Sequence, residues 1–175
     1  MGSIQLPHVI DNGHGERLEF LEVVEGADGP TVLVANEVQP GCGPVMHVHF
    51  RQEETLTVRA GRLGYQFAGE PERVAGVGET VVFPARRPHR FWADGDEVLR
   101  CTGSITPPDN VVWFLSEIYR STSESTDGRP DDFDAAYLLG RYRPEYDLPA
   151  IPAPVRRGGF PVLRAVGRIA GRVAR

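Results

Sequence analysis

The chain contains no lysine, so all 19 of its basic residues are arginine. That excludes a lysine nucleophile and any Schiff base formed by the protein itself. It has only two cysteines, Cys42 and Cys101. Two thiols cannot build a disulfide framework, and free thiols in a reducing compartment are the expectation. No stretch approaches the ~20 consecutive apolar residues of a membrane span. Residues 1–30 carry Asp11, Glu16, Glu19, Glu22 and Glu25 and no apolar h-region, so no secretory signal is expected and the expected location is cytoplasmic. No helix-turn-helix or other recognition motif accompanies the arginines, so nucleic acid is not an expected partner.

Turn-forming residues are plentiful. There are 20 glycines and 15 prolines among 175 residues, as a chain with many tight turns requires. Hydrophobic content of 41% and 25% charged residues are ordinary for a globular protein, and the length suits one domain with appendages. Short alternating runs separated by glycine and proline predict strands at Arg17–Glu25, Thr31–Gln39, Val45–Phe50, Glu54–Arg59, Arg62–Ala68, Glu72–Val74, Thr80–Phe83, His89–Ala93 and Val98–Gly103. Many short strands at regular spacing imply a sandwich or a barrel.

The pattern changes after Pro107. Asp109 or Asn110 is placed to cap a helix whose apolar stripe is Val111, Phe114, Leu115, Ile118 and Tyr119. Asp131–Arg141 reads as a second short helix, and the prolines of Arg143–Gly159 predict an extended connector. In Phe160–Arg175, Val162, Val166, Ile169 and Val173 share one helical stripe, and Arg164, Arg168, Arg172 and Arg175 share another. From Leu148 onward there are six arginines and no acid, although the whole chain carries −5. A basic amphipathic tail on an acidic body docks on its own body, on a partner subunit, or weakly on an anionic membrane surface. The resulting map is an irregular arm at 1–15, a β-domain at 16–107, a helical extension at 108–142, a proline-rich connector at 143–159 and a basic helix at 160–175. The helix after Pro107 and the arginine tail make a homodimer the expected assembly.

Chemistry concentrates in one pattern: Gly41-x5-His47-x-His49-x4-Glu54-x6-Gly61, followed by Gly78-x5-Pro84-x4-His89. On a strand, His47 and His49 at i and i+2 point to the same side, so both imidazoles are able to reach one ion. Glu54 opens the run Glu54–Leu56–Val58 and shares its interior parity. His89, from a distant strand, is available to complete the set. Imidazoles with a carboxylate suit one divalent ion of Fe, Mn, Ni, Zn or Cu.

At these residues the chain resembles the cupin superfamily. The first cupin motif, G-x5-H-x-H-x3,4-E-x6-G, is matched at every defined position. The second, G-x5-P-x-G-x2-H-x3-N, is matched at Gly78, Pro84 and His89, with Arg86 at the second glycine and Ala93 at the asparagine. The resemblance spans roughly residues 30 to 105. It implies a mainly β double-stranded β-helix, or jelly-roll barrel, with C-terminal helices packed outside. It also implies His47, His49, Glu54 and His89 as ligands. Glu53 fits the shorter spacing; Glu54 is preferred because it alone gives the six-residue gap to Gly61. Arg86 at a glycine position is expected to resist a positive φ.

Alternation makes Leu56, Phe67, Phe83 and Phe91 candidate substrate-contacting walls. Tyr65 is a candidate catalytic phenol, able to hydrogen-bond a substrate or act as general acid. Arg86, Arg87 and Arg90 cluster around His89, as solvated turn charges or as a cationic rim. The function these readings support is a metal-dependent enzyme acting on a small organic molecule. The resemblance implies a dioxygenase, or a non-redox isomerase, cyclase or lyase. The alternative is a non-catalytic cupin that binds a small molecule.

Overall fold

Period-two burial sets the faces of the sheets. In the strand Gly29–Val38, residues Val32, Val34, Asn36 and Val38 are buried and their neighbours are not. In Glu53–Ala60 the buried set is Glu54, Leu56 and Val58, whereas Glu53 and Arg59 are exposed. The computed structural model describes residues 4–26, 29–152 and 154–169. Its strands are β1 His8–Asp11, β2 Glu16–Gly26, β3 Gly29–Val38, β4 Val48–His49, β5 Glu53–Ala60, β6 Leu63–Phe67, β7 Arg73–Ala75, β8 Thr80–Phe83, β9 His89–Ala93 and β10 Leu99–Thr106. Then follow α1 Val111–Ser123, α2 Asp132–Arg141, β11 Tyr146–Asp147, a π-helical turn Val155–Gly159 and α3 Phe160–Ile169.

The fold is an antiparallel jelly-roll barrel with its helices on the C-terminal side. One sheet runs β1-β2-β3-β10-β5-β8, a second runs β7-β6-β9, and β11 pairs with β4. Gly61 makes the tight β5–β6 turn possible. Its φ is 71°, and a Cβ there would lie 2.7 Å from the Val98 carbonyl oxygen. Two hydrophobic clusters fill the interior. One joins Leu56, Val58, Leu63, Phe67, Phe83, Phe91 and Leu99 between the sheets. The other joins Leu18, Phe20, Val34 and Ile105 of the barrel to Val111, Phe114, Leu138, Leu139 and Tyr146 of the extension. Each fully buried Leu or Phe of this kind contributes about 1.5–3 kcal/mol.

The α1 stripe packs on its own barrel, with Leu115, Ile118 and Tyr119 against the second cluster. Its expected cap differs: the Asn110 side chain does not cap α1 but donates to Glu145 Oε1 at 2.6 Å. Glu145 is buried and also accepts from Gln52 Nε2 at 3.1 Å and from the Asn110 backbone at 3.3 Å. At α2, Asp131 lies just outside as the cap, accepting from the Phe133 amide at 2.9 Å.

Three expectations are corrected. The irregular arm contains β1, which pairs antiparallel with β2 and is too short for alternation to reveal. The extended connector contains β11 and the π-helical turn. Arg86 does adopt φ 67°, with its amide bonded to the His49 carbonyl and its Nε 3.4 Å from the Phe50 carbonyl. The tail is helical over Phe160–Ile169 and lies against α2, with Val162 and Val166 exposed. The stripe positions Arg172, Val173 and Arg175 lie outside the described residues. Among the described residues, no helix is long and apolar enough to cross a membrane.

Candidate metal centre

His47, His49, Glu54 and His89 converge, and one ligand atom from each lies within 4.8 Å of the others. Two local facts bring them together. His47 and His49 are separated by one residue at β4, so they share a face. His47 and His89 form an isolated antiparallel bridge, exchanging N–H···O bonds of 2.9 Å in both directions. Their ring centroids are 4.4 Å apart, and those of His47 and His49 are 4.9 Å apart. Glu54 enters from β5, between Phe83 of β8 and Ile105 of β10. Glu53 is exposed and lies outside the group. An ion with bonds of about 2.1 Å spans ligands up to about 4.2 Å apart, so the four groups need only a small inward shift to share one.

Tautomers follow from the backbone. His47 Nδ1 lies 2.8 Å from the Val45 carbonyl, and His89 Nδ1 lies 3.0 Å from the Arg87 carbonyl. A carbonyl only accepts, so each Nδ1 carries a proton and each Nε2 is the atom aimed at the cluster. Burial holds the His47 imidazole down at about 3, with the His49 and His89 rings adding to the shift. Burial likewise holds His49 at about 4, against the opposing pull of Glu54. Burial alone would raise the Glu54 carboxyl, but His89 and the neighbouring imidazoles outweigh it and its pKa is lowered.

His47 and His49 are therefore neutral imidazoles beside an ionised carboxylate. His89 Nε2 faces Glu54 Oε2 across 3.5 Å, and His89 Nε2 and His49 Nδ1 are buried without a hydrogen-bond partner. A carboxylate this close to a buried ring nitrogen calls for a cation between them, either a proton on the ring or a metal ion. The donor set, three imidazoles and one carboxylate, fits a divalent transition metal. The backbone carbonyls behind His47 and His89 are the orienting partners such ligands use.

A cavity of about 300 Å³ opens beside the cluster, bordered by His47, His49 and Glu54. Its walls are mostly apolar and lie on the side of the helical extension: Leu18, Val34, Ile105, Phe114 and Ile118 among them. Leu56 and Phe91 are among its lining residues. Phe67 and Phe83 are not, and neither is Tyr65. The Phe83 ring stacks on His89 at 4.4 Å, and Phe67 and Tyr65 pack on Phe83 at 5.8 and 6.2 Å. These rings plug the interior behind His89, so the open volume lies on the opposite side of the cluster.

The arginines near His89 do not form a free cationic rim. Arg87 pairs with Glu70 and lies 3.6 Å over the Phe67 ring, and Arg90 pairs with Glu72 at 2.7 Å. Several cavity residues carry no motif signal at all: Asn12, Glu16, Tyr119 and Tyr146. The Tyr146 ring meets His49 edge-on at 5.4 Å, because β11 places it opposite His49 on β4. The one sequence hint was parity, since Glu16 stands two residues before the inward Leu18.

Residues 36–105 match the family model described as Cupin domain. No curated protein matches the chain in sequence. Among solved structures, KdgF from Halomonas sp. is similar at 18% identity and a TM-score of 0.50, over 59% of this chain and 92% of that one. An uncharacterized conserved protein with a double-stranded beta-helix domain, from Klebsiella pneumoniae subsp. pneumoniae MGH 78578, is similar at 17% identity and a TM-score of 0.46, over 61% of this chain and 84% of that one. The DMSP lyase DddQ from Ruegeria pomeroyi DSS-3 is similar at 21% identity and a TM-score of 0.42, over 52% of this chain and 46% of that one. At these identities the likeness is one of fold.

Proposed function

We propose that this chain, which belongs to the cupin superfamily through its residues 36–105, is a metal-dependent enzyme acting on a small organic molecule held in the cavity beside the cluster. His47, His49, Glu54 and His89 are the residues that would hold the ion. One observation carries the reading: one ligand atom from each of His47, His49, Glu54 and His89 lies within 4.8 Å of the others, in a site where three of the four side chains are buried. A divalent ion bound there supplies Lewis-acid polarisation of a substrate oxygen or, if it is redox-active, a site for dioxygen. The protein's part is to keep the imidazoles neutral, hold Glu54 ionised and exclude water with apolar walls.

Elemental analysis of the purified chain is the test. About one ion per chain is expected for the native sequence and less than about a tenth of that for His49→Ala. Unchanged stoichiometry in His49→Ala overturns the assignment. Iron as the resident ion directs the search to dioxygenase chemistry, and zinc or nickel to isomerase, cyclase or lyase chemistry. A chain that retains a small molecule but no metal is a binding protein.

The sequence alone predicts loss of metal as ordinary histidines protonate, below about 6.5. The structure moves this downward, because His47 and His49 stay neutral to about 3 and about 4. Metal should therefore persist at about pH 5. In the metal-free chain the sign is the same for folding. Below about 6.5 the unfolded histidines take up protons that the folded ones refuse, so stability falls with acid until about pH 4. A melting temperature flat across that window would count against buried, neutral imidazoles.

A further inference from the structure

Glu16 is a carboxylate in the cavity to which the metal reading gives no task. It opens β2 at an inward position, since Leu18 and Phe20 are buried on the same strand face. An apolar residue there would be cheap to desolvate, whereas a carboxylate without a cation is not. The fold holds it in place on two sides. From the β1–β2 turn, Asn12 Nδ2 donates to Glu16 Oε1 at 3.0 Å, and Asn12 Oδ1 accepts the Glu16 amide at 3.0 Å. From α1, the Tyr119 hydroxyl donates to Glu16 Oε2 at 3.3 Å.

Asn12, Glu16 and Tyr119 line the same cavity as His47, His49 and Glu54. Burial raises the Glu16 pKa by more than Tyr119 and Asn12 lower it, so the two hydrogen bonds do not replace a counter-ion. Among the described residues no arginine or histidine forms an ion pair with Glu16. Arg17, the next residue, also borders the cavity but is exposed and forms no ion pair with Glu16.

The cavity thus has two polar poles joined by apolar walls. One pole is the histidine cluster, whose own carboxylate, Glu54, is turned toward the imidazoles. The other is Glu16 between Asn12 and Tyr119. A neutral hydroxyl would satisfy one more lone pair of Glu16 but leave its charge unmatched. An ammonium-type group supplies both the hydrogen bonds and the charge.

We propose that Glu16, positioned by Asn12 and Tyr119, recognises the cationic end of a small organic amine, with the amine's apolar body against Leu18, Ile105, Phe114 and Ile118. This rests on the proposed function only in taking the cavity as the ligand site. Glu16 binds in this scheme and performs no chemistry, so no bond is made or broken there.

The test compares benzylamine with benzyl alcohol, which share a shape and differ in charge. Each is titrated calorimetrically into the full chain, both as purified and after chelator treatment. The native chain should bind the amine about tenfold more tightly than the alcohol, and chelation should not remove that preference. Glu16→Gln, which still accepts the Tyr119 hydrogen bond, should abolish the preference and leave alcohol binding within about twofold. Glu16→Asp keeps the charge and should keep a preference for the amine, which guards against a Gln variant that fails to fold. Equal binding of the two probes to the native chain, no binding of the amine, or a preference that survives Glu16→Gln overturns the proposal. Because the comparison is also made without metal, its outcome is separate from the elemental analysis. A chain that carries no metal as purified yet prefers the amine removes the metal reading and leaves Glu16 standing, and a metal-loaded chain with no preference does the reverse.

Discussion

The two ends of the barrel interior are built in opposite ways. Behind His89, the space is filled by Tyr65, Phe67 and Phe83, rings contributed by the barrel's own strands. Beyond His47 and His49, the barrel strands supply only half the walls, and Phe114, Ile118, Leu139 and Tyr146 of the extension supply the rest. The first end is packed solid, and the second retains a cavity of about 300 Å³. The lesson is that strand alternation alone makes a plug. Open volume next to the cluster arises where strands meet helices, whose wider spacing and distant origin leave room.

The largest expected effect tests the packed end. Phe83 is fully buried and touches His89, Tyr65, Phe67 and Phe91. Phe83→Ala should cost about 3–5 kcal/mol in urea denaturation, and Phe114→Ala, whose ring already borders open space, about 3 kcal/mol or less. Equal losses would break the comparison. A middle-sized effect tests how the open end is fastened. Glu145→Ala strands the buried amide of Gln52, removes the partner of the exposed Asn110, and should cost about 1–3 kcal/mol. It should also expose residues 143–150 to proteolysis, and a loss below about 0.5 kcal/mol would show that β11 is held by packing alone. The smallest effect lies at the junction between the two ends. Arg86 sits at φ 67°, where glycine is at ease, so Arg86→Gly should raise stability by up to about 1 kcal/mol. A loss on that substitution would mean that its contact with the Phe50 carbonyl outweighs the backbone strain.

Much of the barrel was legible because its information is local. The alternation of Glu54, Leu56 and Val58 sets one face of β5, and the single-residue gap between His47 and His49 puts both imidazoles on one side. The convergence of His89 with His47 was legible only through the family motif, because it depends on a bridge between residues 42 positions apart. Tyr65 shows a related limit. Parity correctly turned it inward, but parity does not say which inward space is already full. Glu16 and Tyr119 went unnoticed because they meet across |i−j| of 103, and nothing near either one marks the encounter. β11 was hidden among prolines, where composition argued for an extended connector and the pairing partner lay nearly a hundred residues upstream.

The last of these features has a practical side. β11 and α1 lie beyond the segment that matches the family model, yet they furnish much of the wall around the cavity. The histidine cluster belongs to one stretch of polypeptide and the shape of its antechamber to another. Grafting a different sequence onto positions 111–148 would re-tailor admission to the chamber while leaving the four converging side chains as they are.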